Sequence, residues 1–225
     1  MSPAGRGGLL GMNRVTCQIT VSLDGYAAGP DQSLDDPLGK GGERLHEWVT
    51  ATKGWREAHG LEGGEDNVDS KVAAKLMDGV GAHVMGRKMF GGGDGSWDTS
   101  WRGWWGEDPP FHTPVFVVTH HEREPLEMDG GTTFHFVTDG IEAALDQAKA
   151  AAGNQDVAIA GGASTVNQYL AAGLLDELHL HVVPVVLGAG ERLFEGVGDP
   201  RLEPVEVVAS PVVTHVRYRV RNDQV

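Results

Sequence analysis

Alternating apolar and small polar residues predict that the folded part of the chain begins with a β-strand. Over residues 15–22 valine, cysteine and isoleucine alternate with threonine, glutamine and serine, which is the period of a strand with one buried face. Asp24 and Gly25 then give a turn signal. Further runs of strand length and apolar character follow at 82–85, 115–119, 133–137, 157–160, 177–187, 205–209 and 212–220.

Helical spacing of apolar residues fills the intervals between these strands. Residues 43–59 carry Leu45, Trp48, Val49 and Trp55 at the spacing of one amphipathic helix. Asp69 is a candidate N-cap for a second helix that runs to Met77. Two more helices are predicted at 141–152 and 164–172, the latter ending before Gly173.

Strands that alternate with helices and are followed by a run of strands indicate an α/β fold. We expect a mixed, mainly parallel sheet flanked by helices, with a C-terminal β-hairpin around Ser210 and Pro211. The pattern predicts a single domain over 13–221, preceded by a flexible tail at 1–12 in which Met12 is an alternative start. The Gly- and Trp-rich residues 91–114 read as a long surface excursion packed by its own aromatic side chains.

Composition narrows the classes of function. The formal net charge is -14, with 18 basic against 32 acidic residues, which disfavours a nucleic-acid partner. Cys17 is the only cysteine, so neither an intrachain disulfide nor a cysteine-based zinc site can form. No apolar stretch reaches the length of a membrane span. We therefore expect a cytoplasmic protein without a membrane partner.

A glycine pair between a predicted strand and a predicted helix is the first candidate for chemistry. Gly161 and Gly162 precede Ala163, Ser164 and Thr165 at the start of that helix. Such a turn lets a pyrophosphate approach backbone N–H groups and the positive end of a helix. A tight strand-to-helix turn without a ligand has the same pattern, so both readings stay open for this motif alone.

Two further segments follow buried strands in the same way. Gly86, Arg87 and Lys88 open a helix and bring two cations. Thr119, His120 and His121, with Arg123 just beyond, suit a ribose 2′-phosphate. The strict dinucleotide fingerprint of a Rossmann protein is missing, and so is the single carboxylate that selects NAD over NADP. An ordinary Rossmann dehydrogenase is therefore disfavoured.

Five motifs in this order resemble the dihydrofolate reductase superfamily and, within it, the reductase domain of bacterial riboflavin biosynthesis. They are residues 21–29 (VSLDGYAAG), 84–88 (VMGRK), 117–119 (VVT), 160–162 (AGG), and 175–178 (LDEL) together with 184–188 (PVVLG). The resemblance covers residue 14 to about residue 220 and implies a dihydrofolate-reductase-like fold, NADPH as cofactor and a homodimer. It also implies an oxidoreductase that transfers hydride to a planar heterocycle of the pterin, folate or aminopyrimidine type.

The resemblance assigns roles to the segments that the pattern singled out. It places Thr20, Ala27 and Ala28 beside the nicotinamide and puts Gly86, Arg87 and Lys88 on the phosphates. It puts residues 119–121 near the adenosine end of the cofactor. It also implies that residues 161–162 and the first residues of the following helix, 163–165, hold the pyrophosphate.

The proton donor and the substrate pocket are where this chain departs from the folate-reducing members. Those members carry a carboxylate in the helix after the first strand, and this longer segment offers several, of which Asp66 and Asp69 are our candidates. Trp48, Trp97 and Trp101 are candidates for lining a slot for a flat heterocycle, and packing of the long loop is the alternative.

Other readings stay open beside the NADPH reductase. His179 and His181 share a strand face, but no third ligand is near them in sequence, so core or interface histidines are favoured and no metal site is expected. A non-catalytic nucleotide- or drug-binding module would keep the fold without turnover. A helix start that accepts phosphate does not distinguish NADPH from a flavin.

Overall fold

The structure is a computed structural model that describes residues 13–221. The expectations for the tail at 1–12, including Met12 as an alternative start, lie outside the described residues.

One large sheet organises the described part of the chain. Its strands, together with a small separate pair, are β1 (Val15–Ser22), β2 (Tyr26–Ala28), β3 (Val80–Gly86), β4 (Pro114–Val118), β5 (Leu126–Glu127), β6 (Thr133–Val137), β7 (Asp156–Gly161), β8 (Glu177–Val183), β9 (Glu191–Arg192), β10 (Arg201–Ala209) and β11 (Thr214–Arg221). The large sheet has the order β10-β11-β8-β1-β7-β3-β4-β6-β5, and β2 pairs with β9.

Helices connect these strands. They are α1 (Glu47–Thr50), α2 (Lys53–Ala58), α3 (Val68–Ala73), α4 (Arg87–Phe90), α5 (Gly140–Ala152) and α6 (Ala163–Ala171), with short 3-10 turns at Gly42–Leu45 and Asp129–Gly131. None of the helices within residues 13–221 has the length and apolar character that crossing a membrane requires.

The centre of the sheet is parallel and its margins are antiparallel. Neighbouring strands from β8 to β6 run parallel, whereas β11 pairs antiparallel with β8 and β10, and β5 pairs antiparallel with β6. This confirms the predicted mixed, mainly parallel α/β sheet with a C-terminal hairpin.

The two faces of the sheet are packed differently. Cys17, Ile159 and Leu178 point to the face that α5 and α6 cover, where one continuous core forms. Side chains alternate between faces along a strand, so Thr20 and Ala158 point to the opposite face.

On that opposite face two separate clusters form. The aromatic cluster lies over β3, β4 and β6 and consists of Met85, Phe90, Phe111, Val115, Val117, Met128 and Phe134, with Trp97, Trp101 and Trp105 against it. The Trp48 cluster lies over β8 and β11 and consists of Leu45, Trp48, Val183 and Val213. Between them runs a row that we call the central strip, formed by Gln18, Thr20, Ala158 and Ala160.

The single helix expected over 43–59 is wrong, because the chain breaks at Thr52. This residue is extended, with φ -69° and ψ 146°, and its hydroxyl caps α2 by accepting from Trp55 N. It also forms a bridge with Glu65. A β-branched hydroxyl side chain that bonds its own backbone competes with helix continuation, so a 3-10 turn and two short helices replace the long one.

The expected cap and end of the next helix are also wrong. The side chain of Asn67, not Asp69, accepts from the N–H groups of Asp69 and Ser70, and α3 ends at Ala73 instead of Met77. Asp69 therefore does not cap the helix and is buried instead, with only 2% of its surface exposed.

Strand boundaries differ where proline or a bulge intervenes. β8 ends at Val183 and not at 187, since Pro184 has no N–H to continue the ladder. β10 begins earlier than expected, at Arg201, and carries Pro204 at a bulge on the sheet edge. The short strands β2, β5 and β9 have no period long enough to be read from sequence.

His83 is a buried titratable group in the middle of β3. It is 2% exposed, its Nδ1 lies 2.9 Å from the hydroxyl of Thr113, and the ring of Phe111 packs 5.0 Å from it between centroids. Burial lowers the pKa of His83 from 6.5 to about 4, so the fold holds this imidazole neutral.

We expect this histidine to make stability pH-dependent. The unfolded chain takes up a proton near pH 6.5, whereas the folded one does so only near pH 4. The contribution of neutral His83 is therefore complete above pH 6.5 and is lost as the pH falls towards 4, by roughly 3 kcal/mol. Urea unfolding of the wild type and of His83→Gln at pH 7.5, 6, 5 and 4.5 measures it. The loss between 6.5 and 4 should shrink in His83→Gln but not in the exposed control His59→Gln; equal pH slopes in all three would contradict the assignment.

Candidate functional site

The three segments singled out by sequence lie next to one another at one edge of the sheet. β7, β3 and β4 are consecutive parallel strands, and they end at Gly161, Gly86 and Val118. Parallel strands present their carboxyl ends at the same edge, which is where ligands of open α/β sheets bind. Residues far apart in the chain therefore form one track across three strands.

The glycine pair joins β7 to α6 in a conformation that needs glycine. Gly161 has φ +128° and is linked to Gly162 by a cis peptide bond, and a Cβ on Gly161 would lie 3.3 Å from Met89 Sδ. Apart from its two chain neighbours, no described residue has a heavy atom within 4 Å of where a Cβ on Gly162 would be, so the backbone there is open to approach.

Helix α6 begins directly after this pair, with Gly162 as its N-cap, so the unpaired N–H groups of its first turn lie at the edge of the track. Ala163 is buried, whereas Ser164 is exposed and borders a polar cavity of about 400 Å³.

Gly86 allows α6 to pack closely against β3. A Cβ built on Gly86 would collide with the hydroxyl oxygen of Thr165 in α6. Thr165 is 6% exposed, so its side chain packs between the helix and the strand. Gly86 therefore brings two of the three segments into contact.

Two arginines stack around one tryptophan at the far side of the track. The guanidinium carbon of Arg87 lies 3.8 Å from the Trp97 ring centroid, and that of Arg123 lies 5.2 Å from the same centroid. Arg87 donates from Nε to Gly93 O, and Arg123 donates from Nη2 to Trp101 O. Stacking and these bonds hold both planar groups in fixed orientations.

Three of the four outer nitrogens of this pair have no acceptor among the described residues. Nη1 and Nη2 of Arg87 and Nη1 of Arg123 are buried without a hydrogen-bond partner. Burial lowers the pKa of both arginines, and Asp94 counteracts this at Arg87 while Asp98 does so at Arg123. Buried cationic donors without an acceptor are unfavourable, so the arrangement favours an anion at this place.

The other cation and the third segment occupy different positions. Lys88 is directed to β9, where its ammonium lies 3.0 Å from Glu191, so it does not join Arg87. Thr119 is buried and its hydroxyl accepts from His121 N, while His120 and His121 are exposed. The carbonyl of His121 accepts from Trp97 Nε1 at 2.8 Å, which ties this segment to the arginine pair.

At the first strand, Thr20 lies in the central strip beside Trp48. Its hydroxyl accepts from Trp48 Nε1 at 3.2 Å. Ala27 packs partly on the core, and Ala28 pairs with Glu191 through β2 and β9. Thr20, Ala27 and Ala28 are all small, so none of them places a bulky side chain near the end of β1.

The three candidate substrate tryptophans do not form one slot. Trp48 belongs to the Trp48 cluster, whereas Trp97 and Trp101 belong to the aromatic cluster on the other side of the central strip. Trp101 donates from Nε1 to Phe90 O, and Trp97 packs against Phe136. Packing of the long loop by its own aromatics therefore accounts for these two.

The two acidic candidates have unlike surroundings. Asp66 is exposed in the loop before α3. Asp69 is buried and accepts from His215 Nε2 at 3.1 Å, and His215 Nδ1 lies 2.7 Å from His181 Nδ1. Our sequence reasoning missed His215, because only the register of β11 on β8 brings it beside His181.

His179 and His181 occupy different environments. His179 pairs with Glu177 at 3.2 Å, whereas His181 lies against Trp48. Among the residues described by the structure, no group of three or more His, Cys, Asp or Glu side chains is arranged to hold a metal ion.

Two solved structures illustrate the proteins to which this fold is similar. A putative riboflavin biosynthesis protein from Shewanella sp. PV-4 is 22% identical, covers 92% of this chain and 99% of its own, and has a TM-score of 0.61. A diaminohydroxyphosphoribosylaminopyrimidine deaminase/5-amino-6-(5-phosphoribosylamino)uracil reductase from Thermotoga maritima is 15% identical, with 93% of this chain and 57% of its own covered and a TM-score of 0.56.

Sequence comparison agrees with these structures. The uncharacterized protein YyaP of Bacillus subtilis (strain 168) is 31% identical over 94 residues, which is 39% of this chain and 48% of that protein. The chain thus matches about half the length of that curated relative. The model of the RibD C-terminal domain matches residues 13–216, nearly the whole described chain. The protein belongs to the RibD C-terminal domain family.

Proposed function

We propose that this protein is an NADPH-dependent reductase that transfers hydride to a planar heterocycle. The observation that carries the proposal is the pair of stacked arginines, Arg87 and Arg123, in which three of the four outer nitrogens are buried without an acceptor in the part of the chain that the structure describes. In a chain with a formal net charge of -14, such a local concentration of unpaired cations selects a compact anion. A ribose 2′-phosphate has the charge and the acceptor oxygens to satisfy both.

The adjacent segments fit the rest of a dinucleotide. The open backbone of Gly162 and the first turn of α6 suit the pyrophosphate, and Gly86 lies between this end and the arginine pair. The nicotinamide end would then reach Thr20, Ala27 and Ala28 beside the central strip. A bound nicotinamide supplies the hydride, and the protein supplies orientation and exclusion of water.

The central strip is our candidate for the substrate position. Thr20, Ala158 and Ala160 are small, and the strip is bounded by aromatic side chains on both sides, which suits a flat ring. Among pterins, folates and aminopyrimidines, the aminopyrimidine class is favoured by the reductase activity in the name of the Thermotoga protein. The homodimer and the cytoplasmic location stay predictions.

Cofactor titration followed by an acceptor panel tests this function. The purified chain should quench or shift NADPH fluorescence on binding, bind NADPH more tightly than NADH, and oxidise NADPH with an aminopyrimidine acceptor. Absence of binding to either nicotinamide cofactor would refute the proposal. A yellow protein that releases FMN or FAD would indicate that the bound redox group is a flavin. Tight NADPH binding without oxidation across the panel would indicate a non-catalytic module.

Replacing Arg87 tests the phosphate assignment. Arg87→Ala removes a charge-assisted contact of about 1.5 to 3 kcal/mol, so we expect NADPH affinity to fall about 10- to 150-fold while NADH affinity changes little. Fluorescence titration with both cofactors measures the ratio. Arg219→Ala, at an exposed ion pair in β11, is the matched control and should leave both affinities unchanged. Equal weakening of NADPH and NADH by Arg87→Ala would place Arg87 away from the 2′-phosphate.

Replacing Gly86 tests the contact between two segments of the track. Gly86→Ala should destabilise the protein by about 1 to 3 kcal/mol and weaken NADPH, because the new methyl group meets the Thr165 hydroxyl. Thr165→Ala in the same chain removes that hydroxyl and should restore part of both losses. Thermal unfolding and NADPH titration of the four proteins of this cycle measure the coupling. Strictly additive effects would show that the close approach of α6 to β3 is not what requires glycine.

A further inference from the structure

Three buried side chains form a continuous hydrogen-bonded chain beneath the Trp48 cluster. Asp69 Oδ1 lies 3.1 Å from His215 Nε2, and His215 Nδ1 lies 2.7 Å from His181 Nδ1. Asp69 is 2% exposed, His215 6% and His181 4%. These hydrogen bonds link the N-terminal end of α3, through Asp69, to His215 in β11 and then to His181 in β8.

The far end of this chain is an unpartnered atom. Nε2 of His181 is buried and has no hydrogen-bond partner among the described residues. The two nitrogens of an imidazole diverge, so Nε2 is directed away from His215 and from β11. The neighbouring strand on that side is β1, where Thr20 is the registered partner of His181. His181 therefore borders the central strip on the side away from β11.

The two close imidazole nitrogens must share one proton. A separation of 2.7 Å between His181 Nδ1 and His215 Nδ1 requires one of them to donate and the other to accept. If His215 carries protons on both nitrogens, it donates to Asp69 and to His181, and His181 then carries its own proton on Nε2. If His215 is neutral and donates to Asp69, His181 donates from Nδ1 and its Nε2 has no proton.

The surroundings favour the first of these arrangements. Asp69 supplies a buried negative charge that an imidazolium on His215 would neutralise. The Trp48 ring packs 4.9 Å, between centroids, from the rings of both His181 and His215, and an indole ring stabilises a nearby cation. Burial lowers the pKa of His181 to about 3, and the charges of His215 and His179 add to this, so His181 itself stays neutral.

Other ionisable groups near these three residues lie on β8, on β11 and on the helices above them. On β8 they are His179 and Glu177, which pair with each other, and on β11 Arg217 lies near Glu177. Those on the helices above are exposed: Glu47 and Lys71. None of these groups takes the place of Asp69, His215 or His181 in the hydrogen-bonded series.

We propose that Asp69, His215 and His181 form a proton relay that holds a donatable proton on His181 Nε2 and delivers it to the heterocycle when hydride arrives. This inference rests on the proposed reductase function and adds the proton donor to it. His181 touches the reacting nitrogen, whereas Asp69 and His215 are positioning residues.

The step balances in protons and electrons. A bound NADPH would supply the hydride for the new C–H bond of the acceptor C=N group and would leave as NADP⁺. The Nε2–H bond of His181 breaks as the substrate N–H bond forms. At the same time the Nδ1 proton of His215 moves to Nδ1 of His181, which leaves His215 neutral and still donating to Asp69. One proton from solvent then restores the resting state.

The positions of the ring protons test the relay without cofactor or substrate. In the full chain labelled with ¹⁵N-histidine, two-bond ¹H–¹⁵N spectra at pH 7 should find His215 protonated on both nitrogens and His181 protonated on Nε2. Asp69→Asn removes the charge that holds the second proton on His215. His215 should then become neutral and accept from His181, so that the His181 proton moves from Nε2 to Nδ1.

Controls separate this tautomer switch from general disturbance. Asp78→Asn, an exposed change in the same region, should leave both rings as in the wild type. If Asp69→Asn does not fold, Asp69→Ser takes its place, because its neutral hydroxyl also removes the charge while its oxygen can still accept from His215 Nε2. A His181 tautomer that is the same in wild type and variants, or a wild-type His181 without a proton on Nε2, would refute the relay.

Kinetics connects the relay to catalysis. With an aminopyrimidine acceptor, His181→Gln should lower the single-turnover rate of NADPH oxidation about 10²- to 10⁴-fold and leave NADPH affinity unchanged. Asp69→Asn should lower the rate and change its pH profile. Wild-type rates in both variants across the pH range would refute the role of His181. A wild type that binds no NADPH refutes the reductase function instead, and the ring spectra still decide the relay.

Discussion

The parallel alignment of β7, β3 and β4 is the constraint on which the rest of the site depends. Strand pairing fixes Met85 opposite Gly161 and Gly86 opposite Val118, so three short segments from distant parts of the chain end at one edge. None of them would bind a dinucleotide alone, because each supplies only one kind of contact. Close packing of α6 on β3 at Gly86 then brings a helix start and an arginine-bearing turn within the reach of one ligand.

Residues with local signals could be predicted from sequence, and residues positioned by the tertiary register could not. Alternation and apolar runs predicted β1, β3 and the hairpin, and Gly161-Gly162 was identified because a strand, two glycines and a helix follow one another within a few residues. The break at Thr52 depends on a bridge to Glu65 that no helical periodicity reveals. Asp69 is not the cap because α3 begins earlier, at Val68, and Asn67 caps it by accepting from Asp69 N and Ser70 N. His215 had no local signal at all, since its meaning comes from its pairing with His181.

The unequal packing of the two sheet faces explains how stability and function share one small domain. The face under α5 and α6 is a continuous apolar core, which supplies burial independently of any ligand. The opposite face divides into two clusters, and the central strip lies between them. In the aromatic cluster the same tryptophan that packs the long loop also stacks on Arg87. In the proposed function, loop packing and anion binding would therefore be two properties of one arrangement, with Trp97 contributing to both.

The two ends of the candidate site differ in charge: the arginine pair is cationic, whereas the buried charge of Asp69 is paired with His215. At the arginine pair two cations lie near each other, and three of their outer nitrogens have no acceptor within residues 13–221, an arrangement that the proposed anion would complete. At Asp69 the buried charge already has its partner in His215, and that pair passes its influence to a neutral ring. In the proposed function a cofactor phosphate would thus be held by electrostatic attraction at one end, while at the other end the central strip would meet a proton donor that carries no net charge. This division suits hydride transfer, because a cation next to the nicotinamide would oppose the positive charge that develops on its ring as hydride leaves.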